Sequence, residues 1–126
     1  MKFFIIAGAI NGFLAVALGA FGAHLLEGRV ADKYLSTWGT AVQYQMFHAL
    51  ALVAIGILMS SKILGHVSQL NVAGYLILAG IIIFSGSLYV LSLTGISILG
   101  AITPIGGVAF LAGWIMLMVA AVKSAN

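Results

Sequence analysis

The sequence contains no cysteine, a single proline and only two acidic residues. Without cysteine, the chain has no disulfide framework, no thiolate ligand for a metal and no thiol nucleophile. The two carboxylates, Glu27 and Asp32, lie in the polar segment that separates the first two apolar segments. A triad of serine, histidine and acid within the apolar segments would therefore lack its acid, and no HExxH zinc motif occurs.

Charge is scarce as well: 6% of the residues are charged, 63% are hydrophobic, and the mean hydropathy is +1.26. Soluble domains carry about 25% charged residues, so this composition indicates that lipid surrounds most of the chain. A chain of 126 residues is expected to form one domain, and four spans of about 20 residues would use nearly all of it. We therefore predict an all-α fold, an integral membrane bundle of four transmembrane helices.

The five basic residues occur singly, at Lys2, Arg29, Lys33, Lys62 and Lys123. A nucleic-acid-binding surface needs clustered basic residues, so no nucleic-acid partner is expected. Each basic residue lies near an end of an apolar segment, which is typical of anchors among lipid headgroups. With four spans, three of these residues lie on the side of the termini and two on the other side. The positive-inside rule then predicts cytoplasmic termini.

The apolar segments predict spans at about 3–26, 39–60, 72–93 and 104–122. The first apolar run, about 22 residues, is longer than the 7–15 residues of a signal-peptide core, so we expect it to be retained. A mixed segment precedes the second span and predicts a short interfacial helical stretch, with Tyr34 and Trp38 at headgroup depth. Asn71 is predicted to cap the third span, and Thr103 and Pro104 to begin the fourth.

Small residues supply the expected packing surfaces, because helices in lipid associate by close contact of small side chains. Asn11 lies beside the stripe of the first span and is expected to form a hydrogen bond across it. We expect Gly12→Leu or Gly19→Leu to disrupt the fold or its assembly. The stripe in the first span comprises Gly8, Gly12, Ala15, Gly19 and Gly22; the fourth span carries Gly106, Ala109, Gly113 and Ala120, and the third carries Gly86.

Polar residues within the spans concentrate in one half of the predicted bundle. In an alternating bundle, the end of span one, the start of span two, the end of span three and the start of span four share one membrane face. Because polar groups in hydrocarbon need partners, we expect these side chains to converge as a polar cluster or ligand-binding site. The candidates are His24, Gln43, Gln45, His48, Ser85, Ser87, Tyr89, Thr94 and Thr103.

His48 is the strongest single candidate for a functional residue, since it lies about 13 Å along the helix from Gly39, where its span begins. A structural histidine held by hydrogen bonds is the competing interpretation. A haem held by His24 and His48 is not expected, because their depths differ by about 10 Å. No metal, cofactor or catalytic residue is predicted.

Four ordered segments carry a family resemblance: GAFGAH at 19–24, YQMFHALAL at 44–52, FSGSLY at 84–89 and LGAITPIGG at 99–107. They resemble the YwdK/YgdD-type family of small bacterial membrane proteins, a family of unknown function with a distant small eukaryotic relative. The resemblance extends over essentially the whole chain. It implies four spans in the bacterial plasma membrane, and it supplies no catalytic residues.

These observations favour a non-enzymatic bundle, expected to be homo-oligomeric, that binds membrane lipid, a small amphiphile or a membrane-protein partner through its polar half. The alternative is a small channel or transporter with a polar pathway around His48. Proton-coupled transporters of this size commonly use a carboxylate within the membrane, and the spans contain none. An intramembrane enzyme or redox carrier is the third hypothesis, and no reactive constellation in the sequence favours it.

Overall fold

The computed structural model describes residues 2–124, apart from the side chain of Ala23. Four helices account for most of this range, and each is long and apolar enough to cross a membrane. The predicted all-α bundle is therefore confirmed at the level of its helices. The termini, which we predict to be cytoplasmic, lie outside the described residues. The helices are α1 (Lys2–Leu26), α2 (Asp32–Leu58), α3 (Ser68–Thr94) and α4 (Leu99–Ser124).

The helical stretch expected before the second span is present and is continuous with that span, because α2 begins at Asp32. Two of the predicted helix starts are wrong. Asn71 lies inside α3, which begins at Ser68 after the extended residue Val67. Pro104 lies inside α4. Gly95, with φ 71°, ends α3 early enough for successive backbone turns to start α4 at Leu99, so Thr103 is not a cap.

Successive helices run antiparallel and pack closely along their lengths. Between α1 and α2, Leu18 lies level with Trp38, whose Nε1 donates a 2.8 Å hydrogen bond to the Leu18 carbonyl oxygen. Further along, Asn11 lies level with Gln45. The numbering falls on one helix as it rises on the other, which is the antiparallel order. This contact buries Trp38 to 5% exposure.

The small-residue stripe of α1 packs on α2 at three of its glycines. An added Cβ on Gly8 would lie 2.7 Å from the Ala49 carbonyl oxygen, one on Gly19 would lie 2.9 Å from Val42 Cγ1, and one on Gly22 would meet the Trp38 ring. Ala15, the fourth such member, is completely buried.

Gly12 and Gly86 were predicted to belong to the packing surfaces, and the structure shows that they do not. An added Cβ on either would have no neighbour within 4 Å, so neither glycine mediates a helix contact within the described chain. The predicted disruption by Gly12→Leu therefore has no basis in the packing of the bundle. The spacing of small residues identified the stripe, but it does not show which of its members has a neighbour on another helix.

Between α3 and α4, glycines again set the distance between backbones. A Cβ on Gly106 would overlap the backbone of Phe84, and one on Gly113 would crowd Ile77. The sequence analysis missed Gly74 and Gly80, which accept the rings of Phe4 and Phe110. The rings of Phe4 and Phe110, which pack directly on these glycines, are therefore part of the apolar core.

Both odd-numbered helices contain a π turn, at Leu18–Gly22 in α1 and at Ile81–Ser85 in α3. The first residue of the α1 turn supplies the carbonyl oxygen that accepts from Trp38. The last residue of the α3 turn, Ser85, donates a 2.8 Å hydrogen bond to the Ala41 carbonyl oxygen of α2. Single π turns are frequent at functional sites because they change the direction of side chains. Here both turns lie at helix contacts that involve α2.

The outer surface of the bundle is apolar. Phe13 is 73% exposed and Val122 is 71% exposed, and large aliphatic side chains surround them on every helix. A water-soluble monomer rarely exposes so much contiguous apolar surface. Helices of 25 to 27 residues extend about 38 to 41 Å and exceed the hydrocarbon thickness of about 30 Å. This surface is the one that lipid is expected to contact.

Candidate functional site: a lateral groove beside a buried hydrogen-bond network

Helix α2 carries the central polar residues, Gln45 and His48, and both are buried. The two residues lie three positions apart along the helix. In the structure they contact different helices, because positions three residues apart on a helix differ by about 60° in direction. Gln45 forms hydrogen bonds to α1 and α3, whereas His48 forms a hydrogen bond to α4.

The inner network consists of Asn11, Gln45 and Tyr89. Gln45 Nε2 donates to Asn11 Oδ1 at 3.0 Å, and Tyr89 Oη donates to Gln45 Oε1 at 2.7 Å. Asn11 Nδ2 donates to the Ala7 carbonyl oxygen at 2.8 Å. The Trp38 ring packs edge-on against Tyr89, with centroids 4.6 Å apart. Three helices are thus joined through one buried amide, and a depression of about 310 Å³ lies beside it, between α1 and α3.

His48 lies on the other side of α2, with both ring nitrogens occupied. Its Nδ1 is 2.8 Å from the Tyr44 carbonyl oxygen, and Trp114 Nε1 donates to its Nε2 at 3.1 Å. A carbonyl oxygen only accepts and an indole N–H only donates, so the proton is on Nδ1 and the ring is neutral. The imidazole also stacks on Phe110 at a centroid distance of 3.6 Å and an interplanar angle of 11°.

The buried serine and threonine hydroxyl groups form hydrogen bonds to a neighbouring helix or to a backbone carbonyl of their own helix. Ser87 Oγ lies 2.5 Å from Thr103 Oγ1 and joins α3 to α4. Thr103 also donates to the Leu99 carbonyl oxygen within its own helix. Among the described residues, every buried side-chain nitrogen or oxygen has a hydrogen-bond partner. The buried polar groups therefore serve helix contacts and offer no free atom to a ligand.

A lateral groove of about 610 Å³ lies between α2 and α4 and reaches the lipid-facing surface. Phe84 of α3 lines it between the two helices. Val108 and Leu111 on one side and Phe47 on the other are more than half exposed, so the groove is open to the surroundings. Its lining comprises Gln43, Tyr44, Phe47 and His48 of α2, Phe84 of α3, and Pro104, Gly107, Val108, Phe110, Leu111 and Trp114 of α4.

The predicted polar cluster thus divides into separate groups. Gln45 and Tyr89 belong to the inner network, and Ser85, Ser87 and Thr103 make helix contacts. Only Gln43 and His48 of the predicted site residues line the lateral groove. His24 is exposed at the end of α1, apart from all of these groups. Three of the predicted residues, Gln45, Ser85 and Tyr89, come together around the smaller depression between α1 and α3. The others lie apart from it, because residues at one depth on a helix still differ in direction around its axis.

Sequence reasoning missed the aromatic part of the groove. Trp114 and Phe110 are four residues apart on α4 and share one face, which was the available signal. Their partners Tyr44 and Phe84 lie on other helices, and only the folded structure brings them together. Within residues 2–124, no group of three histidine or carboxylate side chains forms a potential metal site.

Comparison with known proteins places these features in a family context. The model of a family described as "Protein of unknown function (DUF423)" matches residues 18–107. The chain is 62% identical over 123 residues to the UPF0382 membrane protein YwdK of Bacillus subtilis (strain 168), with 98% of each chain covered. It is 56% identical over 126 residues to the UPF0382 membrane protein SAB0533 of Staphylococcus aureus (strain bovine RF122 / ET3-1), with both chains fully covered. No solved structure matches.

Proposed function

This chain belongs to the DUF423 family of membrane proteins, and we propose that it is a non-enzymatic bundle that binds a lipid or a small amphiphile in its lateral groove. The family assignment confirms the resemblance that the four sequence segments carry. The relatives are named only as membrane proteins, so the proposed activity depends on the groove.

The groove itself is the observation that supports this proposal. Its volume of about 610 Å³ lies within the range of roughly 300 to 1,000 Å³ that is typical of small-molecule sites. Its lining is mostly aromatic and aliphatic, with a few polar groups among these side chains, which is also typical of such sites. Because it opens beside exposed apolar side chains, a ligand would enter from the lipid phase.

A non-enzymatic role is favoured by the state of the polar groups. His48, the one histidine of the groove, uses Nδ1 on a backbone carbonyl and Nε2 on Trp114. A general base needs a free nitrogen within reach of the proton that it removes. In the described part of the chain, the groove lining includes no serine or carboxylate that His48 would activate.

The channel alternative requires His48 and Gln45 to line one pathway. They contact different helices, and Gln45 is held by Asn11 and Tyr89. Opening a pathway would break these hydrogen bonds in a medium that offers no replacements. We therefore propose binding and not conduction.

The cellular context follows from charge and composition. We propose that the protein resides in the bacterial plasma membrane with cytoplasmic termini, supported by the three basic residues on that side against two on the other. Homo-oligomerisation and a membrane-protein partner stay predictions. The abundant exposed apolar surface is compatible with lipid or with protein as the neighbour.

Native mass spectrometry tests the proposed binding. The protein purified in mild detergent is expected to retain one lipid or amphiphile adduct. Gly107→Leu is expected to abolish the adduct, because a Cβ on Gly107 would contact only Phe84 ring atoms, at 3.9 and 4.0 Å, so that the longer side chain extends into the groove.

Gly12→Leu is the matched control, since Gly12 has open space around it and does not line the groove. The control is expected to retain the adduct at the wild-type level. An adduct that persists equally in all three proteins, or a wild-type protein without any adduct, would refute binding in the groove.

A further inference from the structure

The lateral groove follows the direction of the two helices that form it. Tyr44 of α2 lies beside Phe110 of α4, at a ring centroid distance of 6.3 Å. Four residues further along both helices, Trp114 donates its hydrogen bond to His48, so α2 and α4 run in the same direction. From Pro104 to Trp114 the groove follows ten residues of α4, about 15 Å along the helix axis. This length is half of a hydrocarbon layer of about 30 Å, which is the thickness of one leaflet.

The two ends of the groove lie at different depths in the membrane. Pro104 and Trp114 lie five and fifteen residues after Leu99, the first residue of α4, which is about 8 Å and 22 Å along the axis. The helix is about 39 Å long, so a layer of about 30 Å centred on it begins about 4 Å from its first residue. Pro104 then lies about 4 Å inside the layer and Trp114 about 18 Å inside it. The groove therefore begins near the headgroups and ends near the middle of the membrane.

The shallow end of the groove is open toward the headgroups. Gly39 lies one turn before Gln43 on α2, and Gly100 lies one turn before Pro104 on α4. An added Cβ on either glycine would have no neighbour within 4 Å. An occupant can therefore continue from the groove past both helices to the membrane surface.

The walls of the groove suit a hydrocarbon chain. Within the part of the chain that the structure describes, no charged residue lines the groove, and every buried side-chain nitrogen or oxygen already has a hydrogen-bond partner. Methylene groups need no such partner, whereas a charged group at this depth would have none. The exposed side chains of Phe47, Val108 and Leu111 leave the groove open to neighbouring lipid along its length.

A cation lies above the shallow end of the groove, at Lys33 in the first turn of α2. Four α2 residues line the groove, and at about 100° per residue Lys33 points within about 10° of their mean direction. The neighbouring acid, Asp32, deviates from that direction by about 90°. Lys33 is exposed, with Nζ 5.0 Å from the centroid of the Tyr34 ring. An ammonium group is therefore available where the phosphate of a lipid would lie.

We propose that the groove holds one acyl chain of a glycerophospholipid from the leaflet in which α2 and α4 begin. The lipid phosphate contacts Lys33, and the methyl end of the chain lies near Trp114. This inference deepens the proposed function and rests on it, because it names the class of the ligand and the position of its headgroup.

Trp114 reports on the occupant, since it lies at the deep end of the groove. The Trp38→Phe protein is placed in nanodiscs of unbrominated phosphatidylcholine that contain a small fraction of a brominated probe. The two probes carry the same brominated chains, one as phosphatidylcholine and the other as diacylglycerol, which lacks the phosphate. Phosphatidylcholine is expected to associate with the groove about 5-fold more strongly, the effect of one lysine near the headgroups. The wild-type protein is expected to show the same preference, which guards against damage by Trp38→Phe.

Lys33→Gln is expected to reduce this preference to about 1-fold, because it removes the charge that contacts the phosphate. Lys62→Gln is the matched control, since Lys62 is exposed in the connection between α2 and α3, at the opposite membrane face. It is expected to leave the preference unchanged. Bromines near the methyl end of the chain are expected to quench Trp114 more strongly than bromines near the ester.

Equal association of the two probes with the wild-type protein would overturn the proposal. A loss of the preference in Lys62→Gln in place of Lys33→Gln would also overturn it, since the headgroup would then lie in the other leaflet. Absence of quenching by either probe, together with a cross-linked dimer, would show that a second copy occupies the groove, which is likewise contrary to the proposal.

Failure of this inference can be distinguished from failure of the proposed function. An adduct that Gly107→Leu removes, together with equal association of the two probes, would preserve the groove as a binding site and refute the contact with the phosphate. The absence of both the adduct and the preference would refute both.

Discussion

Two neighbouring positions on α2 have opposite surroundings. Gln45 forms two side-chain hydrogen bonds inside the bundle and is 5% exposed. Gln43 is exposed to the lateral groove at nearly the same depth. Two residues along a helix correspond to a rotation of about 200°, so the two amides point in opposite directions. One serves the stability of the bundle, and the other is available to a ligand.

The two tryptophans differ in the same way, one lying beside the inner network and the other in the groove. Trp38 donates to the Leu18 carbonyl oxygen and packs on Tyr89 beside the inner network. Trp114 donates to His48 and lines the groove. The presence of a polar or aromatic residue within a membrane span therefore does not by itself show its role. The residues that it contacts determine whether that role is structural or functional.

The largest difference in the free energy of unfolding is expected between leucine substitutions at the adjacent residues Gly106 and Gly107. Gly106→Leu would force side-chain atoms into the Phe84 backbone, where α3 and α4 make close contact. We expect a loss of about 3 kcal/mol or more in the free energy of unfolding, or no folded protein. Gly107→Leu is expected to fold. Unfolding by SDS titration in mixed micelles measures both, and equal destabilisation of the two would remove the distinction between core and groove.

The next largest difference in the free energy of unfolding is expected between leucine substitutions at Gln45 and Gln43. Gln45→Leu leaves Asn11 Oδ1 and the Tyr89 hydroxyl without their partner, which is expected to cost about 2 kcal/mol of unfolding free energy. Gln43→Leu removes an amide without a partner in the described chain, so its unfolding free energy is expected to stay within about 0.5 kcal/mol of the wild type. The same SDS titration provides the comparison. A larger loss for Gln43→Leu than for Gln45→Leu would reverse the assigned roles.

The smallest effect is expected from the tyrosine hydroxyls. Tyr89→Phe removes one donor to Gln45 and is expected to cost about 0.6 kcal/mol, the average for a hydrogen bond between membrane helices. Tyr44→Phe, in the groove, is expected to have no measurable effect on unfolding without ligand. Because these differences are small, repeated SDS titrations of both variants alongside the wild type are needed. Destabilisation by Tyr44→Phe alone would indicate that the groove hydroxyl has a structural partner.

The sequence predicts the number and type of helices because apolar length is a property of the chain itself. It predicts packing by glycines less well. Gly8 and Gly12 share a stripe, yet only Gly8 meets a neighbour, since the neighbour comes from another helix. The start of α4 was missed for a local reason: Thr103 and Pro104 are typical of a helix start, but the turn set by Gly95 lies several residues earlier.

The candidate site was predicted only in part. His48 and Gln43 were identified as polar residues within a span, which sequence alone can reveal. Their environments required the structure, because Trp114 lies 66 residues from His48 along the chain. The direction of each side chain around its helix axis decided which residues meet, and depth alone did not.

The central claim is that Trp114 lines a groove that is open to the lipid phase, whereas Trp38 is buried against the inner network. Fluorescence quenching by lipids with brominated acyl chains tests this claim most directly, in nanodiscs that contain either Trp38→Phe or Trp114→Phe protein. We expect Trp114, in the first protein, to be quenched several-fold more strongly than Trp38, in the second, and Gly107→Leu to reduce the quenching of Trp114. Equal quenching of the two tryptophans would contradict the account.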